Sequence, residues 1–153
     1  MGFNTLCAER ARAPRNARVF FEGVIERCVG GVQLGWIGTV VRCDQESGDG
    51  VGDDGVSWGV DGIRLKKWAG GDTPYRTARK WRDGDVIGCA ADMARGDLSF
   101  ALNGVWSGPD GVAFRGDAEF RAATARASAS WRFLALAAAA AAGDVGALSL
   151  IHI

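Results

Sequence analysis

Residues 81–104, WRDGDVIGCAADMARGDLSFALNG, leave the backbone few choices. Val86, Ile87 and Cys89 open one apolar run, and Leu98, Phe100 and Leu102 alternate along a second. The polar stretch Asp92-Met93-Ala94-Arg95-Gly96-Asp97 connects them. Gly84-Asp85 turns the chain before the first run, and Asn103-Gly104 turns it after the second. Apolar residues at every second position share one face of an extended chain, so the pattern predicts a β-hairpin. A hairpin this short is not stable alone and needs more sheet around it.

The rest of the chain supplies that sheet. Residues 18–26, RVFFEGVIE, read as a strand in which Gly23 marks a bulge or a close backbone approach. Gly30-Gly31 turns the chain into residues 32–37, where Val32, Leu34 and Trp36 share a face. Residues 39–41 extend that strand, and residues 44–54 form a polar Gly/Asp loop. Ser57-Trp58-Gly59-Val60 and Ile63-Arg64-Leu65 stand on either side of an Asp61-Gly62 turn. Lys66-Lys67-Trp68 follows, then a loop over residues 69–79 that carries Tyr75. After the central hairpin come a Gly/Pro loop at 107–111, a short strand Val112-Ala113-Phe114, and weak strands within 120–133. With 153 residues and 23 glycines outside any collagen period, this is one domain of many tight turns. Short aromatic and aliphatic strands joined through glycines favour an antiparallel meander. The expected core is Phe20 or Phe21, Leu34, Trp36, Trp58, Val86, Ile87, Leu98, Phe100, Leu102 and Phe114.

The ends read differently. Residues 1–17 form an Ala/Arg-rich leading segment, interrupted at Pro14 and without an apolar run for a signal peptide. Residues 134–147 are an Ala-rich tail; residues 134–142 have helical propensity but too few residues to span a membrane. The last six residues, LSLIHI, look like the translation of a sequencing-adapter end. On that reading residues 148–153 are foreign to the natural protein, and the chain is a fragment.

The chemistry-bearing residues point away from catalysis. Equal numbers of basic and acidic residues, 18 each, give no electrostatic reason for a nucleic-acid or membrane partner. Cys7, Cys28, Cys43 and Cys89 lack close-pair spacing, which disfavours zinc and leaves free thiols in a reducing, cytoplasmic compartment as the expectation. The one histidine is His152, so a histidine-centred triad has no good candidate. Most aspartates stand beside glycine, where turn chemistry accounts for them. The 44–54 loop lacks the ligand series and closing glutamate of an EF-hand, and its glycines lack the Gly-Lys-Ser/Thr of a phosphate loop. No cofactor is expected.

Taken in order, the motifs resemble the SPRY domain family. Val19-Phe20-Phe21-Glu22, the Gly35-Trp36 strand end, Gly52-Asp53-Asp54, Ser57-Trp58-Gly59-Val60-Asp61-Gly62 and Lys67-Trp68 match its successive pieces. Trp81, Gly84 to Cys89, Asp92, Gly96, Ser99-Phe100, Leu102-Asn103-Gly104 and Val112-Ala113-Phe114 complete the match. Val60 stands where an aromatic is usual. The version with Asp-Asp and Lys-Trp is most similar to SPRY repeats of ryanodine-receptor-type channels and of ubiquitin-ligase or adaptor proteins. The resemblance implies an all-β, bent antiparallel sandwich with a concanavalin-like outline over residues 18–133. It implies a non-catalytic module that binds a protein or short peptide through loops at one end.

Two sets of residues follow. The expected contact set is Trp68 as hot spot, with Lys66, Lys67, Tyr75, Thr39, Asp44 and Asp110. A tryptophan offers a large contact area at low entropic cost, and adjacent lysines steer acidic ligands. The expected structural set is Trp36, Asp53, Asp54, Trp58, Trp81, Asp85, Phe100, Asn103 and Gly104. The alternative is a lectin-like sandwich in which Trp68 or Tyr75 stacks on a sugar ring, with polar contacts from Asp53, Asp54 and Asn103.

Overall fold

The computed structural model describes residues 16–28, 31–37, 50–53, 57–106 and 111–116, and the backbone of 148–152. The strand extension at 39–41, the weak strands within 120–133, the alanine-rich helix and the leading segment before Asn16 lie outside the described residues. So do Thr39, Asp44, Asp54 and Asp110.

The described strands are β1 (Arg18–Ile25), β2 (Leu34–Ile37), β3 (Ser57–Asp61), β4 (Lys66–Trp68), β5 (Asp72–Pro74), β6 (Val86–Asp92), β7 (Asp97–Leu102), β8 (Val112–Phe114) and β9 (Leu148–His152). They form two antiparallel sheets, ordered β8-β7-β6-β1-β9 and β2-β3-β4-β5. The expected sandwich is therefore present. The predicted hairpin is β6–β7, with Cys89 opposite Phe100 and Asp92 opposite Asp97. Its connection closes because the Arg95 N–H donates to Asp92 Oδ1 (2.9 Å) and Gly96 takes a φ of 73°. At the other end Asn103 and Gly104 have φ of 50° and 80°, and Leu102 and Val105 exchange backbone hydrogen bonds. Positive φ at both central positions is what the tightest hairpin turn demands, and Asn-Gly supplies it cheaply.

Two local readings change. The turn after β3 runs on through Leu65, because the buried Asp61 carboxylate accepts the N–H groups of Ile63 and Arg64 (2.7 Å each) and Leu65 has a φ of 58°. The loop over 69–79 contains β5, a strand of poor intrinsic propensity held by its pairing with β4. β9 pairs with the outer edge of β1, with a register shift between Glu22 and Gly23.

The core lies between the sheets. Phe21, Leu34, Trp36, Trp58, Ile87, Leu98, Phe100, Leu102 and Phe114 are buried there, joined by Ile25, Val60, Tyr75, Trp81 and Met93. Val86 is the exception among the expected core residues: it opens β6 half-buried on the alternate face from Ile87. The Phe20-Phe21 pair resolves sharply, with Phe21 2% exposed and Phe20 49%. Phe21→Ala should cost about 3–5 kcal/mol and Phe20→Ala less than about 1 kcal/mol. Urea denaturation of the two variants side by side checks this; equal costs would put both rings in the core.

Candidate functional site

Of the expected contact set, Lys66, Lys67, Trp68 and Tyr75 lie on and beside the β4–β5 hairpin, while Thr39, Asp44 and Asp110 lie outside the described residues. Trp68 ends β4, and it is 6% exposed. The reason is a close approach from the chain before β3. Gly52 (φ 99°) lies directly on Trp68, where any Cβ would collide with it, and the Gly70 N–H donates to the Gly52 carbonyl at 2.7 Å. From the other side the Arg64 guanidinium sits 4.6 Å from the Trp68 ring centre while its Nε donates to Asp61 at 2.6 Å. The expectation that Trp68 offers a face to solvent is therefore not met. Tyr75 is equally buried, its ring edge-on to Phe100 at 6.4 Å and its N–H bonded to the Leu65 carbonyl at 2.9 Å.

The two lysines separate as neighbours on a strand do. Lys67 turns inward: its ammonium donates to the Ala113 carbonyl and stands 5.0 Å from the Phe114 ring centre. It thus ties β4 to β8 of the other sheet. Lys66 faces outward and pairs with Asp72 across the hairpin at 2.5 Å, both side chains nearly half exposed. That hydrogen bond holds the Asp72 carboxyl below the usual range. Gly70 and Gly71, with φ of 71° and 150°, make the tip. The surface presented here is a polar tip on a buried aromatic base.

Of the expected structural set, all but Asp54 lie among the described residues. Trp36, Trp58, Trp81 and Phe100 are buried. The Trp81 indole lies against Gly62, where a Cβ would meet it, and the Trp81 backbone N–H donates to the Gly62 carbonyl at 3.1 Å. Asp53 accepts the Gly50 N–H at 2.8 Å and closes its own turn. Asp85 has the densest network. It takes both Arg79 terminal nitrogens (2.7 and 2.6 Å), the Arg82 N–H (2.8 Å) and the Asn103 side-chain amide (2.9 Å). Asn103 in turn accepts the Val86 N–H at 2.8 Å. The Arg79 hydrogen bond is the main cause holding the Asp85 carboxyl down at about 2; burial opposes it. The Arg79–Asp85 pairing and the Asp61–Arg64 brace were not singled out in the sequence. Arg79 precedes Asp85 by six positions, and only folding brings the guanidinium round to the carboxylate.

No group of three or more His, Cys, Asp or Glu side chains placed to hold a metal occurs among the described residues. The carboxylates accept backbone N–H groups, Asp83 from Cys28, Asp92 from Arg95 and Asp97 from Gly116, and Asp92 and Asp97 stand opposite each other at the β6–β7 turn. Cys28 and Cys89 are free thiols, and burial pushes both above the ordinary thiol range. No described helix is long and apolar enough to cross a membrane.

Comparison with known proteins agrees with this geometry. Over 73 residues the chain is 40% identical to the E3 ubiquitin-protein ligase RKP of Arabidopsis thaliana. The match covers 48% of this chain and 5% of that ligase. The SPRY domain family model matches residues 18–132, the span that holds the sandwich strands β1 to β8. Two antiparallel sheets closed over an aromatic core, the Asp85–Asn103 tie and a family match over most of the sequence place this chain in the SPRY domain family, whose members are generally protein-interaction modules.

Proposed function

We propose that the domain holds a protein or short peptide, without catalysis, through loops at one end of the sandwich centred on the β4–β5 hairpin. The observation that carries this is the contrast between tip and base. Residues 70–73 are exposed, while Trp68, Gly52 and Arg64 fix the strand beneath them. A contact surface that is already ordered loses little entropy on binding, which is how a rigid scaffold makes loops useful. Lys66 and Asp72 are the contact residues on this reading; Trp68, Tyr75 and Lys67 support them. With Trp68 and Tyr75 buried, the sugar-stacking alternative lacks its rings.

The ligase relative supports a context in which such a module helps choose a protein for ubiquitin transfer. Free Cys28 and Cys89 support a reducing, intracellular setting. The test is an affinity pull-down comparing the wild type with a Lys66→Glu/Asp72→Lys double variant and with Trp68→Ala. The double variant should stay folded and lose bound protein, whereas Trp68→Ala should lose about 3 kcal/mol or more of stability. Unchanged capture by the double variant would remove the hairpin from the interface.

A further inference from the structure

The outward face of the five-stranded sheet carries a second surface. One row of residues crosses four strands at the same level: Phe20 on β1 opposite Ala90 on β6, Ala90 opposite Ser99 on β7, and Ser99 opposite Val112 on β8. The middle two side chains are small and the outer two are exposed, Phe20 at 49% and Val112 at 39%. Three strand spacings separate the walls, roughly 14 Å. The result is a groove of ≈ 470 Å³, floored by small side chains. Trp106, also 39% exposed, stands edge-on to Phe20 at 6.4 Å and covers Gly88, where a Cβ would meet its ring. Among the described residues the exposed large apolar side chains are Phe20, Val105, Trp106 and Val112. They gather here and at the adjoining Asn-Gly turn, not at the β4–β5 hairpin. An exposed apolar cluster of this kind marks a contact surface more often than an isolated exposed residue does.

The next row along the sheet supplies charge. Arg18 lies opposite Asp92, and Asp92 opposite Asp97. Arg18 pairs with Asp92 at 2.8 Å and Arg95 with Asp97 at 3.0 Å. The partners of each pair sit at different depths. The two guanidinium side chains are 80% and 63% exposed, and the carboxylate side chains only 17% and 12%. Each carboxylate also accepts a backbone N–H, from Arg95 and Gly116, which anchors it close to the sheet. Arg115 lines the same groove, exposed and with no ion-pair partner among the described residues. The mouth of the groove is therefore cationic above and apolar within.

We propose that this face binds an acidic peptide segment: a bulky apolar side chain seats between Phe20 and Val112, and flanking carboxylates meet Arg18, Arg95 and Arg115. Charge selects the occupant. A second copy docked by two-fold symmetry would set one arginine rim against another. The surface is built on the other sheet from the β4–β5 hairpin, and its proposal does not depend on that one.

The probe is a fluorescein-labelled octapeptide with a leucine–phenylalanine pair flanked by aspartates and glutamates, titrated by anisotropy against the full chain. Its control carries lysines in place of the acids. Binding should be saturable for the acidic peptide, weaken as salt rises, and fall at least about tenfold in both Phe20→Ser and Arg115→Glu. Both side chains are exposed, so circular dichroism should show unchanged folds. Lys66→Glu should leave the titration unchanged, which separates this face from the hairpin. Equal binding of the lysine peptide, no binding of the acidic one, or full binding by Phe20→Ser would each overturn the proposal. So would a dimer in sedimentation that Phe20→Ser dissolves while the acidic peptide fails to bind.

Discussion

Trp36→Ala is expected to remove about 3–5 kcal/mol of unfolding free energy. Trp36 is 2% exposed on β2 and meets the Phe21 ring of β1 edge-on at 5.0 Å, so it joins the two sheets. Deleting the indole loses its transfer free energy and leaves a cavity between the layers. Its neighbour cannot follow to fill the gap. Gly35 lies against the β3 backbone so closely that a Cβ would collide with the Trp58 carbonyl, which fixes β2 in place. A loss of this size is a large share of the 5–15 kcal/mol or so that stabilises an ordinary domain. Urea denaturation should show a lower midpoint with an unchanged slope. A loss under about 1 kcal/mol would mean that the sheets are held elsewhere.

Asp85→Asn is expected to destabilise the domain by about 2 kcal/mol near neutral pH and to flatten its acid response. The native carboxyl sits at about 2 against an ordinary 3.8. A depressed native value means that the unfolded chain binds the proton more readily. The stabilisation is therefore full above about pH 4 and disappears as pH falls through about 2. Arg79 is about a third exposed, so solvent screening keeps the effect at or below this figure. Thermal melts at pH 6, 4, 3 and 2 check it. The wild type should lose its advantage over Asp85→Asn across the lowest three. A constant gap between the two proteins would assign the effect to shape rather than charge.

The fold was legible where local chemistry decides it. The β6–β7 hairpin follows from alternation and from Asn103-Gly104, both of which act over a few residues. Trp36, Trp58, Trp81 and Phe100 followed from size and pattern. What stayed illegible depends on distant parts of the chain. Phe20 and Phe21 are chemically identical, and the register of β1 against β6 sends one out and one in. Trp68 resembles a surface anchor until Gly52, sixteen positions earlier, lies down on it. Lys67 resembles a ligand-steering cation until β8 offers the Ala113 carbonyl. The groove on the sheet face was hidden for the same reason: Phe20, Ala90, Ser99 and Val112 are neighbours only across four strands.

The order of the strands also sets a clock. The β2–β5 sheet is made of consecutive strands, so each can pair as soon as the next one is synthesised. Among the described strands, β1 has no such neighbour. Its partner β6 ends at Asp92, 74 residues after Arg18. At 5–20 residues per second a ribosome takes roughly 4–15 s to make that stretch. Through that interval Phe21 and Ile25 lack the β6 and β7 part of their core, and the β1 backbone has an unpaired edge. Of the described strands, β1 therefore waits longest for a partner, with its apolar face and its edge open while the sheet beside it forms.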